Sequence, residues 1–393
     1  MAKADGSFSR QSRGDVEVFQ RAVSALDANQ YESAASLFSD SINSGDRTYE
    51  SLLGRSNAYT GLKEYGKALV DVTRAIDLNP QNPYGYIFRA SIYGKLNQVK
   101  EAIADATRAI SLNPDKASYY RYRGAAYLAA DQPINALNDL TKAIELGERE
   151  AAVYENRGLA NARLTRYHDA VIDLSHALDL DSHSVGVLIQ RGTLFMCLGD
   201  VQKALNDFND ALKQTPDARE ALGRRAWAYL EIHDNKAALE DLKQAVRKGS
   251  NDSWILLNLG YELFREGHFL EALEVNQKLV DNDKLQNSEA YFQRGLFLLS
   301  TGKTGKAQEA YNQGVRLAKN EGNGGVVQDA IEELKQLLEN KKVSVDIIQK
   351  ILKRLEETKL SLTHRGNTGA DQCQSLFVRV SKSRLSNSNP QQD

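Results

Sequence analysis

The chain has 393 residues and a net charge of -2, from 50 basic and 52 acidic side chains. That balance provides no overall field to hold nucleic acid or an anionic membrane, and no apolar run approaches membrane-spanning length. Cys197 and Cys373 are too few for a disulfide framework or a metal-ligand cluster, and the opening MAKADGSFSRQSRGD lacks the apolar core of a secretory signal, so a cytoplasmic, reducing setting is expected.

After residues 1–14, read as a flexible N-terminus, a 34-residue unit recurs from Asp15, Tyr49, Pro83, Ala117, Ala151, Val185, Arg219 and Ser253. A ninth copy starts at Ser288 after a one-residue insertion. This period marks helical hairpins, each too small to bury its own apolar face, which stack into one continuous core. Repeat position 20 is Ala in all nine copies, from Ala34 to Ala307. Position 8 is always Ala, Ser or Gly, and position 27 is small except at Leu279. Small residues at fixed points let two helices approach closely, and larger ones fill the space between. The fillers stand at position 11 (Tyr59, Tyr93, Tyr127, Phe195, Tyr229) and position 24 (Phe38, Leu140, Leu174, Phe208, Leu242, Tyr311). A short polar loop near position 15 closes each hairpin, and Pro80, Pro114 and Pro216 at position 32 stop its second helix.

Residues 15–320 resemble the tetratricopeptide repeat family, whose pattern is visible in Tyr86, Ala90, Tyr93, Ala102, Ala109 and Pro114 of repeat three. The same pattern returns in repeat six as Leu188, Gly192, Phe195, Ala204, Phe208, Ala211 and Pro216. The resemblance implies an all-α, right-handed superhelical solenoid whose first helices line a concave, peptide-binding groove. It implies a non-catalytic scaffold or adaptor with one or more protein partners and no cofactor.

Position 7 is Arg in repeats one to seven and nine, and position 23 is Asp in repeats two to seven. The spacing predicts six Arg–Asp pairs across the hairpins: 55–71, 89–105, 123–139, 157–173, 191–207 and 225–241. In repeat eight both positions change together, to Leu259 and Val275. Read as exposed pairs they contribute ~0–1 kcal/mol each and serve solubility and register.

Beyond the array, Glu321-Gly322-Asn323-Gly324-Gly325 interrupts the helix. Two amphipathic helices are then expected within 321–362, the first over Val326–Asn340 as a cap. The second, Lys342–Leu362, either continues the cap or offers a face for self-association. Residues 363–393 are polar and read as a disordered tail.

Chemistry finds no foothold. Gly302-Lys303-Thr304 is a fragment of a phosphate-binding loop, but the glycine required five residues earlier is Phe297. His168, His176 and His183 fall on different elements with no cysteine beside them, so no metal set forms. No nucleophile with a base and an orienting group can be assembled.

For the groove, the family's carboxylate clamp, which holds chaperone C-termini, is matched only by Arg121, Asn156 and Gln190, with Ala125 and Gly186 where donors are needed. A co-chaperone role therefore stands as an alternative. Amides recur at position 6 as Gln20, Asn156, Gln190, Asn258 and Gln293, and they suit peptide backbone or internal packing. The expected partner site lies in repeats seven to nine, where Trp227, Trp254, Leu257, Tyr261, Phe292 and Leu296 take groove positions. The rival reading has this stretch covered from within by the 342–362 helix.

Overall fold

The computed structural model describes residues 17–45, 47–281, 287–339 and 345–362. The N-terminal segment and polar tail expected at 1–14 and 363–393 lie outside these residues. Every described element is a helix or a turn, and the helices come in consecutive antiparallel pairs.

The described chain falls into two compact units. The first holds α1 (17–27), α2 (Tyr31–Ser44), α3 (Thr48–Gly61), α4 (Tyr65–Leu78), α5 (Pro83–Lys95), α6 (Val99–Leu112), α7 (Ala117–Ala129), α8 (Pro133–Glu145), α9 (Ala151–Arg163) and α10 (Tyr167–Leu180). The second holds α11 (Val185–Cys197), α12 (Val201–Gln214), α13 (Arg219–Glu231), α14 (Asn235–Arg247), α15 (Ser253–Arg265), α16 (Phe269–Val280), α17 (Ser288–Ser300) and α18 (Thr304–Glu321). It is completed by α19 (Gly324–Glu339) and α20 (Val345–Leu362). Within each unit every hairpin packs on the next, so each inner face is covered by a neighbour.

The turns share one device. Repeat position 15 adopts positive φ in every hairpin: Asn29, Lys63, Asn97, Asp131, Thr165, Gly199, His233, Gly267 and Gly302. A single left-handed residue reverses the chain between two helices. Gly302, at φ 75°, is therefore the turn residue of repeat nine, which accounts for the glycine of the Gly-Lys-Thr fragment without a phosphate. Gly322 ends α18 in the same conformation.

The core follows the small-and-large rule at atomic distance. A Cβ on Gly124 or Gly158 would stand 2.7 or 2.9 Å from Leu140 or Leu174. On Gly192 and Gly295 it would stand 2.6 and 2.5 Å from the rings of Phe208 and Tyr311. Position 8 thus lacks a side chain where the filler at position 24 lies directly over the backbone.

All six Arg–Asp pairs form. Arg55 donates through Nε and Nη2 to Asp71 at 2.7 and 2.8 Å, and the pairs at Asp105, Asp139, Asp173, Asp207 and Asp241 repeat this fork. They are not the exposed pairs expected from sequence, because all six aspartates are buried. The third guanidinium nitrogen adds a contact the pattern did not foretell. Nη1 of Arg55, Arg89, Arg123 and Arg225 reaches position 25 of the preceding repeat, at Ser39, Thr73, Thr107 and Asn209. Each of these arginines ties its own hairpin shut and fastens it to the one before.

Cys197, expected as a separate thiol, is instead disulfide-bonded. Cys373 lies outside the described residues.

Candidate functional site

The six side chains expected to form an open apolar stretch divide into two groups. Leu257, Phe292 and Leu296 are core residues, 7, 2 and 1 % exposed. Leu257 packs with Leu256, Leu279 and Ala290, and the Phe292 ring lies 6.0 Å from that of Tyr311. Gly314 leaves the room: a Cβ there would stand 2.5 Å from Phe292. Position 5 therefore points into the hairpin in repeats eight and nine, and bulky residues there are fillers.

Trp227, Trp254 and Tyr261 remain half-buried. The Trp227 indole rests on Met196, Ala204, Leu205, Phe208 and Ala228, and its Nε1–H donates to Glu231 at 3.1 Å. Trp254 opens α15, where the Asp252 carboxylate accepts from its backbone N–H at 2.9 Å. The Trp227 ring thus packs on the core and stays partly in solvent, the arrangement that suits aromatic anchors.

The amides are largely spent internally. Asn258 donates to the Trp254 carbonyl of its own helix at 2.8 Å, and Gln293 to the Leu257 carbonyl across α15 and α17 at 3.2 Å. Gln190 is buried, Asn156 is half-buried and Gln20 is exposed. Arg121 is no open clamp residue: it is buried over the Tyr122 ring at 4.7 Å, with Glu148 and Glu150 at 3.7 and 3.5 Å.

Both helices beyond the array lie against the last hairpin, and the first of them is in the place expected of a cap. α19 packs on α17 and α18, whereas α20 packs on α18 and α19. Asp329 and Glu333 stand one turn apart on α19, and Glu333 is within electrostatic range of both Asp329 and Glu289 in the first turn of α17. Sequence reading passed over these three carboxylates, because each is unremarkable on its own helix. Burial and repulsion from Glu289 and Asp329 push the Glu333 carboxyl up to about 7. The Tyr261 phenol is also raised, first by burial and then by Glu333.

A carboxyl raised from 4.5 to about 7 lowers stability as pH rises through that window, because the unfolded chain has already released the proton the folded chain still holds. Glu333→Gln should therefore raise the melting temperature at pH 8 and leave it nearly unchanged at pH 4.5. Discounting for partial exposure, the gain is about 1–2 kcal/mol. Melting curves of the two proteins at both pH values provide the check; equal effects at both would exclude a raised carboxyl.

The consecutive helical hairpins define a helical-repeat scaffold. Tetratricopeptide repeat profiles match residues 19–83 and 189–253, and a second such profile matches 84–116 and 288–321. The chain belongs to the tetratricopeptide repeat family. No curated protein matches it. Among solved structures it is similar to a tetratricopeptide repeat protein from Parabacteroides merdae, with 17 % identity, a TM-score of 0.50, 64 % of this chain and 99 % of that one covered. It is likewise similar to PilW, a type IV pilus biogenesis factor, with 17 % identity, a TM-score of 0.50, and 53 % and 97 % covered. A third structure is YrrB, described as having an unusual peptide-binding site, with 23 % identity, a TM-score of 0.42, and 47 % and 95 % covered. At these identities the likeness concerns the fold.

Proposed function

We propose that the chain is a non-catalytic protein-interaction scaffold that holds a peptide or helical segment of a partner along the first helices of its C-terminal repeats. The observation that carries this reading is the pair of half-exposed indoles on α13 and α15, with Tyr261 on the same helix as Trp254. Large aromatic faces left in water by an otherwise well-filled core contribute most when a partner covers them. The nine-repeat organisation over 15–320, followed by the helices within 321–362, supports an interaction role.

Among the described residues no helix is long and apolar enough to cross a membrane. The chaperone-clamp alternative is disfavoured by Arg121, whose guanidinium is already engaged by Glu148 and Glu150. Trp227→Ala combined with Trp254→Ala should reduce partner capture from native extract about tenfold or more, with helical content by circular dichroism unchanged. Unchanged capture, read by mass spectrometry against the parent chain, would reject the surface.

A further inference from the structure

Resting on that reading, we propose that the chain's own residues 363–373 occupy the aromatic surface, strapped over Trp254 and Trp227 by a Cys197–Cys373 disulfide and released by reduction.

Cys197, the last residue of α11, is disulfide-bonded. The chain has two cysteines, so the second sulfur is that of Cys373. One bond is no framework of the kind that holds small secreted domains together. The core beside it also closes without the sulfur. Met196, Ala204, Leu205, Phe208 and Ala228 form one cluster to which Cys197 does not belong, and Cys197 stays partly in solvent. A bond between a helix end and a segment beyond the last helix is a tether.

Both anchor points of the tether flank the indoles. Cys197 takes position 13 of repeat six, and the same position of repeat seven is Glu231, which accepts from the Trp227 Nε1–H at 3.1 Å. α11 packs on α13, and Met196, beside Cys197, belongs to the cluster on which Trp227 rests. At the other end, a Cβ on Gly324 would stand 3.5 Å from Leu362, the last residue of α20. Glu321, three residues before Gly324, accepts from the backbone N–H and hydroxyl of Ser288 at the start of α17. The segment therefore departs near the first turn of α17 and returns to the last turn of α11.

Length then fixes its course. Residues 363–373, fully extended, reach ~36–40 Å. From α17 to α11 the first helices make three sideways steps of ~8–10 Å, and the rise from repeat position 1 to 13 adds ~18 Å. The diagonal of ~30–35 Å takes up most of the reach, so the segment runs close to the straight line. That line crosses the first half of α15, where Trp254 stands at position 2, and meets α13 at position 9, which is Trp227. The segment carries Gly366, Gly369 and Ala370 and no large apolar side chain, so nothing but the covalent bond holds it against the rings. A dithiol reductant supplies two electrons and two protons. The S–S bond breaks, Cys197 and Cys373 become thiols, and the reductant closes to its own disulfide. The indoles are then open to a partner.

The test needs no known partner, because Trp227 and Trp254 are the chain's two tryptophans and their fluorescence reports on this surface alone. In the oxidised full chain, dithiothreitol should raise the acrylamide quenching constant about twofold, as each ring regains its solvent face. Cys373→Ser in the same oxidising buffer should match the reduced parent and ignore dithiothreitol. Peptide mapping without reduction should return a linked peptide containing Cys197 and Cys373. Quenching indifferent to reduction would overturn the proposal, as would a bond joining two copies of the chain. Captured from native extract, the partner should be retained about tenfold better by Cys373→Ser than by the oxidised parent, whose strap competes from within. Equal capture by the two, lost from both on replacing Trp227 and Trp254, would overturn the strap and leave the scaffold reading standing. Redox-dependent quenching with capture indifferent to the tryptophans would support the strap and remove that reading.

Discussion

Asp241→Ala should destabilise the C-terminal unit by about 3 kcal/mol, near the lower end of what breaking a buried ion pair costs. The carboxylate it removes is buried and accepts from Arg225 at 2.8 and 2.8 Å. The remaining guanidinium would be left over the core, relieved in part by Asn209 at 2.7 Å and by solvent. The informative comparison is the double variant Arg225→Leu with Asp241→Val, which copies the pair Leu259 and Val275 of repeat eight. Leu259 is buried there, and Val275 packs on the Leu256–Leu257 cluster, so the register tolerates an apolar contact at these two positions. The double variant should recover more than half of the loss. Urea unfolding followed by circular dichroism measures both; a double-variant cost equal to the sum of the single costs would show that the pair is not a unit.

Gly192→Ala is the second large effect, at about 1–3 kcal/mol. A Cβ at this position would stand 2.6 Å from the Phe208 ring, which is fully buried and has no room to retreat. Repeat seven shows the remedy, since there the same two positions are Ala226 and Leu242, both buried. Phe208→Leu alone should cost about 1 kcal/mol for the space it leaves. Combined with Gly192→Ala it should cost less than the two changes added together. A thermal double-mutant cycle reads the coupling, and simple additivity would refute the packing account.

Both experiments exploit the same property of the chain. Because the repeats are nearly superposable in sequence, one repeat shows which combinations another will accept. Position 8 stays small in every repeat for a steric reason, and positions 7 and 23 change together for an electrostatic one. Each rule was readable before any coordinates because it recurs at a fixed spacing. Helix pairing, turn position and the six Arg–Asp partners follow from that recurrence.

The candidate site was less legible. Groove positions assigned from repeat numbering placed Trp227, Trp254 and Tyr261 on a half-exposed surface, yet the same numbering also chose Phe292 and Leu296, which the structure buries. Numbering states which way a Cα–Cβ bond points, not what lies beyond it. Around Phe292 that is the bare backbone at Gly314. Likewise, position 7 showed that Arg and Asp would meet, but burial of the aspartates depends on neighbouring hairpins, so pairs valued as surface contacts became core ones.

Local pattern settled the helices, their turns and their partners along the array, because these depend on residues within one 34-residue period and its immediate neighbour. The gathering of Glu289, Asp329 and Glu333 depends on something the period does not contain. α19 is not a repeat, and its packing on α17 and α18 follows no rule that the 34-residue period contains. Charges brought together by such packing leave no mark on either helix alone, so only the folded chain reveals them.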